Sequence, residues 1–291
     1  MKQINQVIAV LSTSFALGAC AGDEMLDGET LVPGDLVERN GLVAVAPEPG
    51  ESMQVTAIML DGSSRELAVD TLEDGTVNVI ERSVFDDEPV AGDGAVEILA
   101  GGPPPACRDE FWVGFVYRWR DTYNWRFNAG TTPRALSKNN VEDAIVRGTK
   151  NVTTSHNDCG MGDRVGATQD YRGRTDRRAC TMDGVNVTDF GDLPAGVLAV
   201  TCTRASGTRA LESDMRLNKD DYHWFVNKPD DCRRRYSIEA VTTHERGHTF
   251  GLADLSVENH GNLTMAGRIG DCVEKARTLG KGDILGLRNK Y

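Results

Sequence analysis

The chain has little positive charge and few histidines for its 291 residues: 32 Lys and Arg stand against 44 Asp and Glu, with 5 His, and the formal net charge is −12. A basic field able to follow a phosphate backbone is missing, so nucleic acid is excluded as a partner. The longest apolar run, from Val7 to Ala19, covers about thirteen residues and is too short to span a bilayer. No Gly-rich phosphate loop and no Gly-x-Ser-x-Gly elbow occurs, which leaves nucleotide hydrolysis and serine-hydrolase chemistry without a motif. No Cys-x-x-Cys occurs either, so the 7 cysteines do not spell out a thiolate zinc site.

The charge that is present is unevenly spread. Ala21 to Ala106 carries 19 acidic and 3 basic residues, whereas Cys107 to Tyr291 carries 25 acidic and 28 basic ones. That asymmetry separates an acidic first third from a near-neutral remainder. Residues 1–20 read as an export leader, with Lys2 ahead of the apolar run. The run ends in Leu17-Gly-Ala-Cys20, which resembles the bacterial lipobox and implies lipid attachment at Cys20; a plain secretory peptide cut near Ala19 or Ala21 is the alternative. Either way the chain is expected to be exported, with the membrane touched only through a lipid anchor. Residues 21–40 are expected to be a flexible acidic tether.

Residues 41–100 hold short apolar or alternating runs, Leu42–Ala46, Gln54–Leu60, Glu66–Val69, Thr76–Ile80 and Ala95–Leu99, separated by turn signals. They are expected to be an acidic β-rich region or pro-segment, or else a solvated spacer. Gly101-Gly-Pro-Pro-Pro105, within a linker over 101–106, refuses helix and is the expected boundary. The main domain is then expected over 107–291. Phe111 to Arg120 is expected as its first strand, with Trp125 to Phe127 as continuation or partner. Asn140 can cap a helix whose buried face is Val141, Ala144, Ile145 and Gly148. Val185–Val187, Gly196–Thr203 and Asp214–Asn218 are strand-like.

The chemistry sits in Val241-Thr-Thr-His-Glu-Arg-Gly-His-Thr-Phe-Gly-Leu-Ala-Asp254. On a helix capped by Ser237, His244 and His248 lie one turn apart on one face, and both imidazoles can reach a single metal ion. Glu245 between them is placed to act on a water as a general base rather than as a ligand. Ile238, Val241 and Thr242 are expected to face the core, with Arg246 and Thr249 outward. Gly251 suits a helix that must stop and turn back, which brings Asp254 toward the ion. His260, just downstream in the same loop, is the rival third ligand.

This string resembles the metzincin zinc endopeptidases, in the variant with aspartate as third ligand found in snapalysin-type proteases. Asn262-Leu-Thr-Met265-Ala-Gly267 resembles their Met-turn, and Leu279 to Tyr291 resembles the C-terminal helix of matrixin-like domains. The resemblance implies an α+β fold: a twisted mixed sheet with a backing helix, a zinc helix, the turn at Met265 and a last helix burying Ile284, Leu285 and Leu287. It also implies an edge strand that holds substrate by strand addition, Zn2+ as cofactor, and peptide or protein as substrate, in a chain expected to be a monomer. Pro105-Ala-Cys107 has a faint likeness to the matrixin cysteine switch, without its glycine and proline. A surface lipoprotein binding module with a structural or degenerate zinc site is the competing function, and a zinc hydrolase of non-peptide substrates a third.

Six cysteines remain besides Cys20, and an even set in an exported chain reads as three disulfides. The expected pairs are Cys159 with Cys180, Cys232 with Cys272, and Cys107 with Cys202. Acidic groups near Asp183–Asn186 and Asp189–Asp192 raise the alternatives of a structural Ca2+ site or a solvated turn. Asn-x-Thr sequons at Asn151, Asn186 and Asn262 are read as incidental.

Overall fold

Side-chain alternation governs the first half of the fold. In the computed structural model, which describes residues 30–60, 63–84 and 103–291, the strand Glu51–Met59 turns Met53, Val55, Ala57 and Met59 to one apolar cluster and Ile58 to another. A strand with period two can serve two cores in this way only when both faces of its sheet are covered. The leader with Cys20, the acidic stretch to residue 29 and the run Ala95–Leu99 lie outside the described residues.

The elements in order are β1 Leu36–Arg39, β2 Leu42–Val45, β3 Glu51–Met59, β4 Ser64–Thr71, β5 Val77–Val84 and β6 Tyr123–Phe127; then α1 Lys138–Thr153, β7 Gln169–Arg174, β8 Asn186–Gly191, β9 Val197–Ser206 and β10 Arg209–Asn218; then β11 His223–Phe225, β12 Arg235–Ser237, α2 Ile238–Thr249, α3 Val257–His260 and α4 Lys281–Lys290. The fold is a mixed α+β arrangement around one eight-stranded sheet of order β5-β4-β3-β9-β10-β8-β6-β7. β6, β7, β8 and β10 run parallel to their neighbours in that group, and all pairings from β10 through β9, β3 and β4 to β5 are antiparallel. One face is covered by α1 and α2, whose apolar side chains join Trp125, Phe127, Phe190, Met215 and Leu217 in a core. The β1–β2 hairpin puts Val37, Leu42 and Ala44 against the other face of the β3–β4–β9 half.

Several expectations change. Residues 42–84 form strands β2 to β5, as a β-rich region is expected to, but they do not stand apart from the later chain: β3 pairs with β9 over Glu51 to Met59, and Leu31–Tyr291 is one compact unit. The far end of the expected tether is ordered as β1. Phe111–Arg120 is not a strand. It makes only single bridges, Gly114 to Leu252 and Arg118 to Arg209, and spends its aromatic donors on helix ends: Tyr117 Oη donates to His248 O at 3.0 Å and Trp119 Nε1 to Thr249 O at 2.9 Å. These satisfy terminal carbonyls that an α-helix leaves without partners. α1 is capped by Ser137 rather than Asn140, and buries Val141, Ala144, Ile145 and Gly148 as its spacing requires.

The disulfides are Cys107–Cys159, Cys180–Cys202 and Cys232–Cys272. Only the last matches expectation. The Cys159–Cys180 and Cys107–Cys202 pairings fail because Cys202 sits mid-strand on the face opposite the helices, where the Cys180 loop crosses it, while Cys107 lies beside the end of α1. Three disulfides are consistent with an exported protein in an oxidising setting, and among the described residues no helix is long and apolar enough to cross a membrane. The acidic groups considered for calcium face guanidiniums: Asp183 pairs with Arg177 at 2.5 Å, and buried Asp189 with Arg178 at 3.0 Å and Arg216 at 2.8 Å.

Cys107 and Cys159 are 52 residues apart, and closing a loop of that length constrains the unfolded chain by about 4 kcal/mol in the chain-entropy picture. A Cys107→Ser, Cys159→Ser double variant is therefore expected to lose about 2–4 kcal/mol in denaturant unfolding, with non-reducing peptide mapping of the wild type recovering the 107–159 and 180–202 cross-links.

Candidate functional site

α2 starts where Ser237 Oγ accepts from Ala240 N at 3.3 Å. Its first turn carries Glu239 near the positive end of the helix dipole, fixed by Arg147 at 2.9 Å. Every residue of this helix is buried, because the sheet, α1 and the chain around Met265 enclose it. That overturns the expected outward facing of Arg246 and Thr249. Arg246 points at the sheet, where Tyr123 Oη accepts at 2.6 Å and Thr149 Oγ1 at 3.1 Å, Thr188 Oγ1 accepts too, and the rings of Tyr123 and Trp125 lie 5.0 Å from its guanidinium carbon. Burial lowers its pKa, and the surrounding oxygens and ring faces offset that loss.

The helix ends at Thr249 and Gly251 adopts φ +88°. A methyl group there would lie 2.7 Å from Tyr117 O, so both conformation and space demand glycine. The turn brings Asp254 back beneath the histidines. His244 Nε2 and His248 Nε2 are 3.1 Å apart, His244 Nε2 is 3.1 Å from Asp254 Oδ1, and His248 Nε2 is 3.5 Å from Asp254 Oδ2. Ligand atoms bound at 2.0–2.1 Å around a tetrahedral ion are spaced by about 3.3 Å. Among the described residues this is the one group of three or more His, Cys, Asp or Glu able to share an ion.

The tautomers sharpen the point. His244 Nδ1 faces Thr264 O at 2.8 Å and His248 Nδ1 faces Leu252 O at 2.9 Å. A carbonyl can only accept, so each Nδ1 carries a proton, and each Nε2 presents its lone pair whenever the ring is neutral. Two lone pairs and a carboxylate pointed at one another repel unless a cation lies among them. Burial disfavours a charged His248, yet the Asp254 carboxylate outweighs it and the ring is pushed up to about 9, so the trio favours a positive charge at its centre, whether a proton or a metal ion. Burial would raise Asp254, but the imidazoles beside it hold its carboxyl well below the usual range. These residues could hold a divalent cation, with the Thr264 and Leu252 carbonyls orienting both rings.

Glu245 is fully buried next to this group, and burial raises its carboxyl despite the histidines nearby. Its Oε2 accepts from Thr201 Oγ1 at 2.6 Å. Its Oε1 and Asp254 Oδ1 have no hydrogen-bond partner among the described residues, an unusual state for buried carboxylate oxygens. His260 is elsewhere: Nδ1 contacts Asp109 Oδ2 at 2.9 Å and the ring stacks on Phe111 at 4.2 Å.

Met265 is buried under α2, and a methyl group at Gly247 would lie 2.1 Å from its sulfur. Gly247 is thus the notch through which the turn approaches the helix. Asp283 of α4 ties that turn down, accepting from Thr264 N at 2.8 Å, Met265 N at 3.2 Å and Gly280 N at 2.8 Å. Sequence reasoning named neither Thr201 nor Asp283. A threonine amid Val197–Thr203 reads only as strand, and Asp283 as an ordinary first-turn acid. Glu66 on β4 was also missed: burial raises its carboxyl, and it lies close enough to Asp254 and His248 to sense their charges.

No protein-family model matches this chain, and no curated protein is significantly similar to it.

Asp283 satisfies three backbone donors that would otherwise be buried without acceptors, one of them on the residue whose carbonyl orients His244. Asp283→Ala is expected to cost about 3 kcal/mol, read in a thermal melt as a fall in Tm of roughly 5–10 °C, with the conservative Asp283→Asn recovering part of it.

Proposed function

We propose that the chain is an exported zinc-dependent endopeptidase of metzincin type, with His244, His248 and Asp254 as metal ligands and Glu245 as general base. The observation that carries this reading is the meeting of two Nε2 atoms and the Asp254 carboxylate beside a carboxylate oxygen, Glu245 Oε1, that no group among the described residues engages. Two nitrogens and one oxygen suit zinc, which takes three protein ligands in catalytic sites and leaves a fourth position open. The sheet order, the buried Met265 beneath Gly247 and the α4 anchor support the metzincin reading.

When bound, the ion supplies Lewis-acid chemistry, polarising a carbonyl and making a water acidic enough to react at neutral pH. Glu245 Oε1 accepts a proton from that water as its oxygen adds to the scissile carbonyl carbon. Thr201 Oγ1 holds the other oxygen, Oε2, and so fixes which lone pair points at the water. The raised pKa of Glu245 suits the second step, in which the same oxygen returns the proton to the leaving nitrogen as the C–N bond breaks, giving a carboxylate and an amine. Lipid attachment at Cys20 would keep the enzyme at a membrane surface.

Burial favours a second reading. His244, Glu245 and His248 are each 0% exposed, as a structural zinc site would be. A structural tetrahedral site takes four protein ligands, however, and among the described residues only three groups converge; a buried acid beside them with one oxygen left without a partner has no structural use.

In metal titration of the full-length protein, one zinc per chain is expected, lost in His248→Ala and Asp254→Ala and kept in Glu245→Gln. Over long incubation with an unfolded protein substrate, Glu245→Gln is expected to reduce hydrolysis by about 10²–10⁴-fold, and Thr201→Val by a smaller factor through kcat with zinc content unchanged. Absence of zinc binding in the wild type refutes the assignment, and full zinc with equal hydrolysis by Glu245→Gln refutes the role of Glu245.

A further inference from the structure

Complete burial is an odd condition for a site that must receive a polypeptide, and the elements responsible are identifiable. β9 carries Thr201, whose hydroxyl binds Glu245, and its far edge is taken by β3 in antiparallel register. Thr56 stands directly opposite Thr201, Glu66 of β4 opposite Thr56, and Arg82 of β5 opposite Glu66. Directly opposed residues put their side chains on the same face of a sheet, so this row runs out over the site from the residue that holds the base. Arg82 pairs with Glu66 at 3.4 Å along it.

The next row does the same. Ile58, 0% exposed, joins the cluster that contains Val241 and Met265. Ser64, opposite Ile58, packs on the chain just past Met265, its Cβ 3.3 Å from where a methyl on Gly267 would sit. β3 and β4 therefore lie across the site from Thr201 to the Met265 turn. At the strand's start Arg204 of β9 holds Glu51 of β3 at 3.0 Å.

A strand edge bordering a hydrolytic site offers unpaired N–H and C=O groups on which an extended peptide can add as one more strand, with pockets reading alternate side chains. On the peptidase reading just given, β9 is that edge. We infer that Glu51–Met59 is an in-chain occupant of the peptide-binding edge of β9, so that the fold described is the latent form, and that the enzyme's substrates are extended segments with small or β-branched side chains at the positions held by Thr56 and Ile58. Gln54, Thr56 and Ile58 are uncharged side chains on the face turned to the site, which suits a pocket lined by Thr201, Ala199 and Met265. An acidic or basic residue at the Ile58 position would meet the buried apolar cluster unpaired and be selected against.

The test uses the full-length, zinc-loaded protein. Thr56→Pro removes a ladder N–H in the middle of β3, and Ile58→Ala takes away part of its apolar seat without touching the ladder, in case the proline variant fails to fold. Hydrogen exchange over β9 reports whether the edge has opened, independently of turnover. A quenched fluorescent peptide reports hydrolysis, and a synthetic peptide of the Glu51–Met59 sequence is added in trans. Faster exchange in β9, at least tenfold faster hydrolysis, and reversal of both by the added peptide are expected. Wild-type hydrolysis as fast as that of an opened variant, or reversal absent at millimolar peptide, overturns the occupancy while leaving the peptidase assignment standing. Opened β9 with zinc bound and no hydrolysis in any form overturns both.

Discussion

Two carbonyl oxygens govern the rest of the molecule. Thr264 O and Leu252 O each take the Nδ1 proton of a histidine, and by doing so oblige both Nε2 lone pairs to face the same small volume as the Asp254 carboxylate. Neither carbonyl lies on the helix that carries the histidines. One belongs to the turn held by Asp283, the other to the segment released by Gly251, so the histidine helix cannot be functional without both loops closed upon it. The requirement explains otherwise costly choices nearby: glycine at 247, where any side chain meets Met265, and at 251, where both φ and the Tyr117 carbonyl exclude a Cβ.

Enclosing a helix on all sides forces polar residues inside, and Arg246 shows how the chain accommodates this. Its position between the two histidines puts it on the face opposite their imidazoles, against the sheet. Among the described residues no carboxylate is bonded to it; hydroxyls of Tyr123, Thr149 and Thr188 and two aromatic faces solvate the cation instead. A carboxylate at that spot would form a buried ion pair whose desolvation cost rivals its attraction, and would add a further negative charge close to Glu245. Hydroxyls hold the guanidinium without supplying charge.

Local periodicity carried a good part of this into the sequence. The i, i+4 histidines, the Ser237 cap, the glycine that ends α2, the buried stripe of α1 and Ile284 and Leu287 on α4 follow from spacing, because each depends on neighbours within a few residues; Leu285, expected on the same buried face, is only half-buried. What was illegible depends on partners far away in the chain. Phe111–Arg120 has the aromatic content of a strand, but Tyr117 and Trp119 are used to cap α2, some 130 residues on. Arg246 looks solvent-facing on a helical wheel only if one side of the helix is assumed wet. Cys180 and Cys202 are paired by a loop crossing a strand, which no count of cysteines can show. The fusion of the acidic first third to the sheet of the later chain was hidden by composition: a charge shift suggested a domain boundary, yet backbone pairing of β3 to β9 is indifferent to net charge.

That fusion also bears on how β9 can be both a structural strand and a reversible docking edge. β3 contributes Ile58 to the helical core and Val55, Ala57 and Met59 to the core on the other face, so its departure uncovers apolar surface on both sides of the sheet. β9 would unravel with it if β3 were its main support. β3 is only one of its supports: β10 pairs with β9 over most of its length, Cys202 ties it to Cys180, and the Cys180 amide is itself held by Asp214 of β10 at 2.6 Å. Thr201 keeps its bond to Glu245 through contacts that owe nothing to the first third of the chain. The second disulfide, on the face away from the chemistry, is thus best understood as anchoring the strand from behind, leaving its other edge free to exchange one extended partner for another.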